Sequence, residues 1–240
     1  MLQKPIKIGA YLCIELLGKG CFGQVYKATK DGENKFYAIK FICRKEVDKN
    51  PKDFEMFETE CNVMHTINHP NILHLYEVLE STNNYYLVLE HCENGDLYKE
   101  ITKLSGKSYL DEKKAVFYLK QIMTGYTELY NHKIMHRDIK LHNIFLTDNG
   151  QRVVIGDFGF AKKIYYDTNT ILGTPVTMAP EVLIERVSYT YKADLWSIGT
   201  CYYWLLFGRL PFNNYSVAKG FDKVKKEIET YSGAKLRFPN

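Results

Sequence analysis

The sequence predicts an α+β fold: an antiparallel β-sheet with one helix over the first ninety residues, then a mainly helical remainder. Three observations carry this. From Tyr11 to Glu90 runs of apolar residues alternate with period two and are separated by turn-forming residues. Between Phe54 and Ile67 the apolar positions fall instead at 57, 63, 64 and 67, a helical period. Beyond them lie two long helical stretches, Asp111 to His132 and Leu195 to Phe207. A chain of 240 residues can bury this core as one large domain or as two small lobes sharing a cleft.

Composition narrows the function classes. With 45% hydrophobic and 25% charged residues the chain reads as globular rather than disordered. The net charge of +4 is dispersed, with no run of Lys or Arg longer than two, which argues against a nucleic-acid partner. The six cysteines, at 13, 21, 43, 61, 92 and 201, form no C-x-x-C pair and read as reduced thiols, so a cytoplasmic location is expected. The run Leu195–Phe207 is too short for a membrane span and reads as a buried helix.

In chain order, Gly18-Lys19-Gly20-Cys21-Phe22-Gly23 has the spacing G-x-G-x-x-G. A dinucleotide-binding turn shares it, with Glu46 or Asp48 as ribose acid, but such a turn opens a helix. Here Gln24–Thr29 alternates like a strand, turns at Asp31–Asn34 and is followed by the strand Lys35–Cys43. Two strands joined by glycines make a flap whose N–H groups can face phosphates, or else a hairpin with no ligand. Lys40, in Ala38-Ile39-Lys40, would be a solvated edge lysine unless a partner acid lies on the helix 54–67. Ile72–Glu80 and Tyr85–Glu90 read as two more strands across the turn Ser81–Asn84. Asp96, in Asn94-Gly95-Asp96-Leu97, suits either a ligand contact or a helix N-terminus. The helix 111–132 has one apolar stripe at 115, 116, 119, 122, 123, 126 and 129.

That helix delivers the chain to His136-Arg137-Asp138-Ile139-Lys140-Leu141-His142-Asn143. A hairpin, Ile144–Leu146 and Val153–Ile155 about Asp148-Asn149-Gly150, then leads to Asp157-Phe158-Gly159. An aspartate, a lysine two positions on, an asparagine five on and a second aspartate are what phosphoryl transfer to a hydroxyl needs: an orienter for the nucleophile, a fixed positive charge and two oxygen ligands for Mg²⁺.

At these residues the sequence resembles the eukaryotic protein kinase family, serine/threonine branch, over about residues 11 to 240. The resemblance implies a bilobal kinase domain over 1–240, with an N-lobe at 11–90, a hinge at 91–93 and a partial C-lobe at 94–240. The family's last helices, and the arginine that pairs with Glu181, are not reached by Asn240, so the C-lobe is expected either to be cut short or to be finished differently. It also implies ATP and Mg²⁺ as cofactors and a protein substrate, with regulatory subunits or an upstream kinase as further partners and no membrane span.

Residue by residue, Asp138 becomes the base, Lys140 the charge on the γ-phosphate, and Asn143 and Asp157 the metal ligands. Lys40 would hold the α- and β-phosphates, aimed by Glu60, with Glu58 as the alternative acid. Gly18, Gly20 and Gly23 would cover the phosphates, Val25, Ala38, Leu89 and Phe145 would line the base pocket, the backbone of Glu90 to Cys92 would bond the base, and Asp96 would meet the ribose. Asp194 would accept hydrogen bonds from the catalytic-loop backbone, under a stack of Met64, Leu75, His136 and Phe158.

Asp157 to Glu181 would be the activation segment, ending in Gly173-Thr174-Pro175 and Ala179-Pro180-Glu181. Among Tyr165, Tyr166, Thr168 and Thr170, the resemblance selects Thr170 as the phosphate site that Arg137 would pair with; the alternative is a set of plain loop hydroxyls. The stretches Leu87–Leu97, Asp157–Lys162 and Met178–Glu181 are most similar to the Unc-51-like (Atg1-like) kinases. Thr177 departs from the family's usual aromatic residue. His142 replaces the glutamate of basic-directed kinases, which removes a demand for arginine upstream of the target, and Phe160 implies serine over threonine. The rival reading is a pseudokinase or nucleotide-binding scaffold without turnover.

Overall fold

The computed structural model describes residues 5–20, 23–103, 109–163, 173–182 and 190–211. As the α+β reading expects, an antiparallel sheet comes first and helices dominate afterwards. Strands β1 (Ile6–Ile8), β2 (Tyr11–Gly20), β3 (Gly23–Lys30), β4 (Phe36–Cys43), β5 (Leu75–Glu80) and β6 (Asn84–Glu90) pair in the order β1-β2-β3-β4-β6-β5. The sheet curls until its ends meet: the Tyr11 hydroxyl of β2 donates to Glu77 of β5, and Leu79 lies against Gly9. Register shifts after Cys13 and Leu16 bend β2, as bulges do.

Because side chains alternate, the sheet has two apolar faces. Tyr11, Cys13, Tyr26, Ala28, Tyr37, Ile39, Tyr86 and Val88 fill the inside of the curl. The opposite residues, Ala38, Ile42, Leu87 and Leu89, join the main core. Lys40 shares their face, one residue from Ile39. Covering that face is α2 (Pro51–Thr66), which follows the short α1 (Arg44–Val47). The Asn50 side chain caps α2 by accepting from the Lys52 N–H at 3.1 Å, and Pro51 supplies a first-turn residue with no N–H to satisfy. The predicted apolar stripe faces inward: Val63 and Met64 are buried, and Phe57 stacks on Tyr85 at 4.6 Å.

Helices α3 (Leu97–Lys103), α4 (Glu112–Asn131) and α5 (Lys192–Phe207) build the rest. The predicted hairpin is β9 (Ile144–Thr147) and β10 (Arg152–Ile155), and Asp148, Asn149 and Gly150 all take positive φ in its turn. The two-residue β7 (Gly95–Asp96) joins its edge, while β8 (Ile134–Met135) pairs with β11 (Lys162–Lys163). Asp111 caps α4 through the Lys114 N–H at 3.0 Å. Its buried stripe turns toward Tyr118, whose hydroxyl reaches the Gly150 carbonyl at 3.0 Å. In α5 apolar residues lie on most sides, and the helix stops at Gly208 in the left-handed region. Among the described residues no helix is long and apolar enough to cross a membrane.

One strand begins later than its pattern suggests. Residues 71–73 pair with β10 instead of β6: Ile155 N–H donates to Asn71 O at 2.9 Å, and Leu73 N–H to Ile155 O at 2.8 Å. Alternation alone cannot say which sheet takes a segment. The loop after α2 is thereby fixed to the helical part, and Gly125 of α4 lies beneath it. A Cβ there would stand 2.7 Å from the Asn71 carbonyl oxygen. In an open helix Gly→Ala gains about 1 kcal/mol, but this backbone contact reverses the sign. Gly125→Ala is expected to lose about 1–3 kcal/mol in chemical denaturation.

Candidate active site

The loop His136–Asn143 is held from below by Asp194, in the first turn of α5. One carboxylate oxygen accepts the His136 N–H at 2.8 Å and the other the Arg137 N–H at 2.9 Å. Burial pushes the Asp194 carboxyl up, opposed by these backbone hydrogen bonds. Arg137 has φ 67°, a costly conformation that the paired N–H bonds hold in place. Its Nε donates to Phe160 O at 2.5 Å. The His136 ring accepts the Asp138 N–H at Nδ1 (3.3 Å) and meets Gly156 O at Nε2 (3.0 Å), an arrangement satisfied by the neutral ring with its proton on Nε2. It packs on Phe158 with ring centroids 5.1 Å apart, and Met64 and Leu75 are likewise buried.

Asp138 is 3% exposed, and its carboxylate gathers three donors. Lys140 Nζ lies 2.7 Å and Asn143 Nδ2 3.0 Å from Oδ2, while the Thr174 hydroxyl lies 2.8 Å from Oδ1. Lys140 Nζ also reaches Thr174 at 3.0 Å, closing a ring of polar contacts. A single 3-10 turn, Leu141–Asn143, brings Asn143 back to Asp138, whose main-chain oxygen accepts a second bond from Nδ2 at 2.9 Å. Thr174 is the site residue that sequence reasoning read only as a segment marker. The available signal is Gly173 before it: with φ 111°, its Cβ position lies 2.4 Å from Arg137 O, so only glycine lets the segment come this close.

Asp157, at φ 64°, follows Gly156, whose N–H donates to Asn143 O at 2.9 Å. The hairpin therefore brings the second aspartate beside the loop. Among the described residues the Asp157 carboxylate accepts no hydrogen bond, and both amide N–H bonds of Asn143 point at Asp138, leaving Asn143 Oδ1 free. One amide and one carboxylate oxygen suit Mg²⁺, a hard cation that takes few protein ligands and completes its shell with phosphate and water. Among the described residues no cluster of three or more His, Cys, Asp or Glu could hold a metal alone.

Across the cleft, Lys40 Nζ is 2.7 Å from both carboxylate oxygens of Glu60. Glu58 is exposed on the outer side of α2. Burial pulls the Lys40 ammonium down, but Glu60 and Asp157 outweigh it and the net shift is upward, so Lys40 is charged at neutral pH. Above it the flap is β2–β3, where Gly18 pairs with Val25 and Gly20 with Gly23. A Cβ on Gly23 would strike Phe41 O, whereas Gly18 has open space there. Val25 lies opposite Lys40, Ala38 opposite Leu89, and Phe145 is half-buried on β9.

Two expectations are qualified. The Glu90 N–H already donates to His74 O at 2.9 Å, while the Cys92 N–H has no partner among the described residues. Asp96 caps α3, accepting the Lys99 N–H at 2.9 Å, and pairs with Lys99 Nζ at 3.0 Å. Thr170 lies outside the described residues. Thr177 is buried, with its hydroxyl on Thr174 O at 3.1 Å. His142 is exposed but stacks on Tyr98 at 4.2 Å, and partial desolvation of its ring, then Lys140 and Lys99, hold its pKa below the usual value despite Asp96, so it is mainly neutral at pH 7.

The family model described as the protein kinase domain matches residues 11–238. Serine/threonine-protein kinase atg1 of Dictyostelium discoideum is 39% identical over 220 residues, which cover 88% of this chain and 32% of that protein. Calcium-dependent protein kinase 5 of Plasmodium falciparum is 38% identical over 217 residues, 89% of this chain and 36% of its own length. Serine/threonine-protein kinase polo of Drosophila melanogaster is 33% identical over 219 residues, 90% and 37%. The chain thus spans about a third of the length of these relatives, and identities of 39% and 38% do not separate the first two subfamilies.

Proposed function

Because the chain belongs to the protein kinase family, in its serine/threonine branch, we propose that it transfers the γ-phosphoryl group of MgATP to hydroxyls of protein substrates. The observation that carries this reading is the buried Asp138 carboxylate with Lys140, Asn143 and Thr174 converging on it. In this role Asp138 orients the incoming hydroxyl and accepts its proton as the new O–P bond forms. Lys140 supplies a fixed positive charge where negative charge gathers on the transferring group. Asn143 Oδ1 and the Asp157 carboxylate hold magnesium, which when bound neutralises charge on the phosphate oxygens. Lys40, aimed by Glu60, grips the α- and β-phosphates beneath Gly18, Gly20 and Gly23. Val25, Ala38, Leu89 and Phe145 flank the base, the Cys92 N–H and the Glu90 backbone bond it, and Asp96 meets the ribose.

Control is assigned to a phosphate on Thr170 that pairs with Arg137, and the location to the cytoplasm. Mg²⁺-dependent appearance of labelled γ-phosphate on a serine-rich protein tests the activity. Adenine nucleotide that stabilises the chain without any transfer would replace this reading with a scaffold. For specificity, a neutral His142 offers no anion to an arginine upstream of the target, and Phe160 favours serine. On a peptide array we expect Ser over Thr by about threefold or more and no dependence on upstream arginine. Arginine dependence or equal use of Thr would overturn one part or the other.

A further inference from the structure

Arg152, at the start of β10, joins three segments of the chain through one guanidinium. It ion-pairs with Glu90, the last residue of β6; its Nη1 donates to Pro70 O, after α2, at 2.9 Å; its Nε donates to Asp148, in the hairpin turn, at 2.7 Å. A planar fork holds its donors apart at fixed angles and so reaches three separated acceptors at once, whereas the three donors of a lysine all leave one compact nitrogen. The Glu90 carboxylate side chain is 15% exposed and that of Arg152 26%, so the pair is partly desolvated.

The hairpin grips the following residues as well. Glu93 accepts the Thr147 hydroxyl at 2.5 Å and the Asn149 N–H at 3.0 Å, Asn94 Oδ1 accepts the Gly150 N–H at 2.9 Å, and the Asn94 N–H donates to Leu146 O at 3.1 Å. Residues 90–94 are therefore fastened along β9–β10, and β10 leads directly to Asp157. Arg152 has none of Asp138, Lys140 or Asn143 among its partners.

We propose that Arg152 is a positioning residue for the nucleotide: it fixes the backbone of residues 90–92 relative to the hairpin that carries Asp157, and so sets how tightly adenine nucleotide binds. The proposal rests on the kinase reading. Without the clasp this backbone must be ordered when the nucleotide binds, which weakens binding and leaves the reacting groups as they were.

The test uses the full chain with MgADP as probe in titration calorimetry, together with transfer kinetics. Arg152→Met is expected to raise Kd for MgADP and KM for ATP about five- to tenfold while kcat falls less than about twofold. Arg152→Lys, which keeps a charge near Glu90 but not the fork, should raise both about two- to threefold. Adding Glu90→Gln to Arg152→Met should change nothing further, because their shared contact is already gone. A merely structural role predicts fewer active molecules, hence lower kcat at unchanged KM, and that result overturns the proposal. So does unchanged Kd in both Arg152 variants; should Arg152→Met fail to fold, unchanged Kd in Arg152→Lys alone suffices. Wild-type chain that binds no MgADP refutes the kinase reading itself, whereas wild-type binding with unaltered variants refutes only Arg152.

Discussion

Asp138→Asn is expected to lower phosphoryl transfer at saturating MgATP by about 10²- to 10⁴-fold, the range for removing a general base. The folded state should tolerate the change. An amide at 138 can turn its oxygen toward Lys140 and Asn143, 2.7 and 3.0 Å from Oδ2, and its NH₂ toward Thr174, whose hydroxyl rotates from donor to acceptor. Stability should thus fall by no more than about 1 kcal/mol. Asn143 and Asp157 are untouched, so nucleotide affinity should stay within about twofold. What is lost is the site that takes the proton. Rates measured with excess nucleotide and peptide, alongside thermal unfolding, separate the two effects. A fall of less than about tenfold with normal stability would mean that the proton goes elsewhere.

The sheet was legible because both of its faces are apolar and its turns are punctuated. Residues 37 and 39 point into the curl while 38, 40 and 42 face α2, so the period-two pattern that marks the strands also tells which side Lys40 is on. The same logic on α2 leaves Glu58 outside and Glu60 within. Pairing across sheets was not legible. Ile72 and Leu73 continue the apolar run of the strand they precede, yet the backbone of residues 71–73 bonds to β10. The two residues of β7 are too few for a pattern, and they exist as a strand because β9 offers them an edge.

Polar convergence was legible only in part. Asp138, Lys140 and Asn143 lie within one turn of chain, so their spacing announces them. Thr174 meets Asp138 from 36 residues away, and a hydroxyl beside a glycine has no periodic signature. Arg152 reads in sequence as an ordinary strand-edge cation, and its three partners become visible only when the hairpin, the loop after α2 and the end of β6 are superposed in space. Asp96 suited a cap and a ligand contact equally, and the Lys99 N–H at 2.9 Å establishes the first without bearing on the second.

Lys40→Met should reduce transfer about 10²- to 10³-fold, the scale for losing one positioned charge on the phosphates. It should also cost about 3 kcal/mol of stability, since Glu60, 5% exposed, would be left buried and unpaired. The Lys40 pKa is raised in the fold, so the pair's contribution to stability is complete below the lysine's ordinary pKa and is lost only as pH climbs through the raised value. In the parent the pair's contribution is therefore flat across neutral pH. The two losses come apart in Lys40→Met with Glu60→Leu. Replacing both charges by apolar groups of similar size removes the unpaired carboxylate, and stability should return to within about 1 kcal/mol of the parent. Activity should not return, because no cation faces the phosphates. Glu60→Gln alone keeps that cation but loosens its aim, and should lie between, down about tenfold. Recovery of activity together with stability in the double variant would mean that Lys40 acts through the fold alone. Recovery of stability without activity would assign it to the nucleotide.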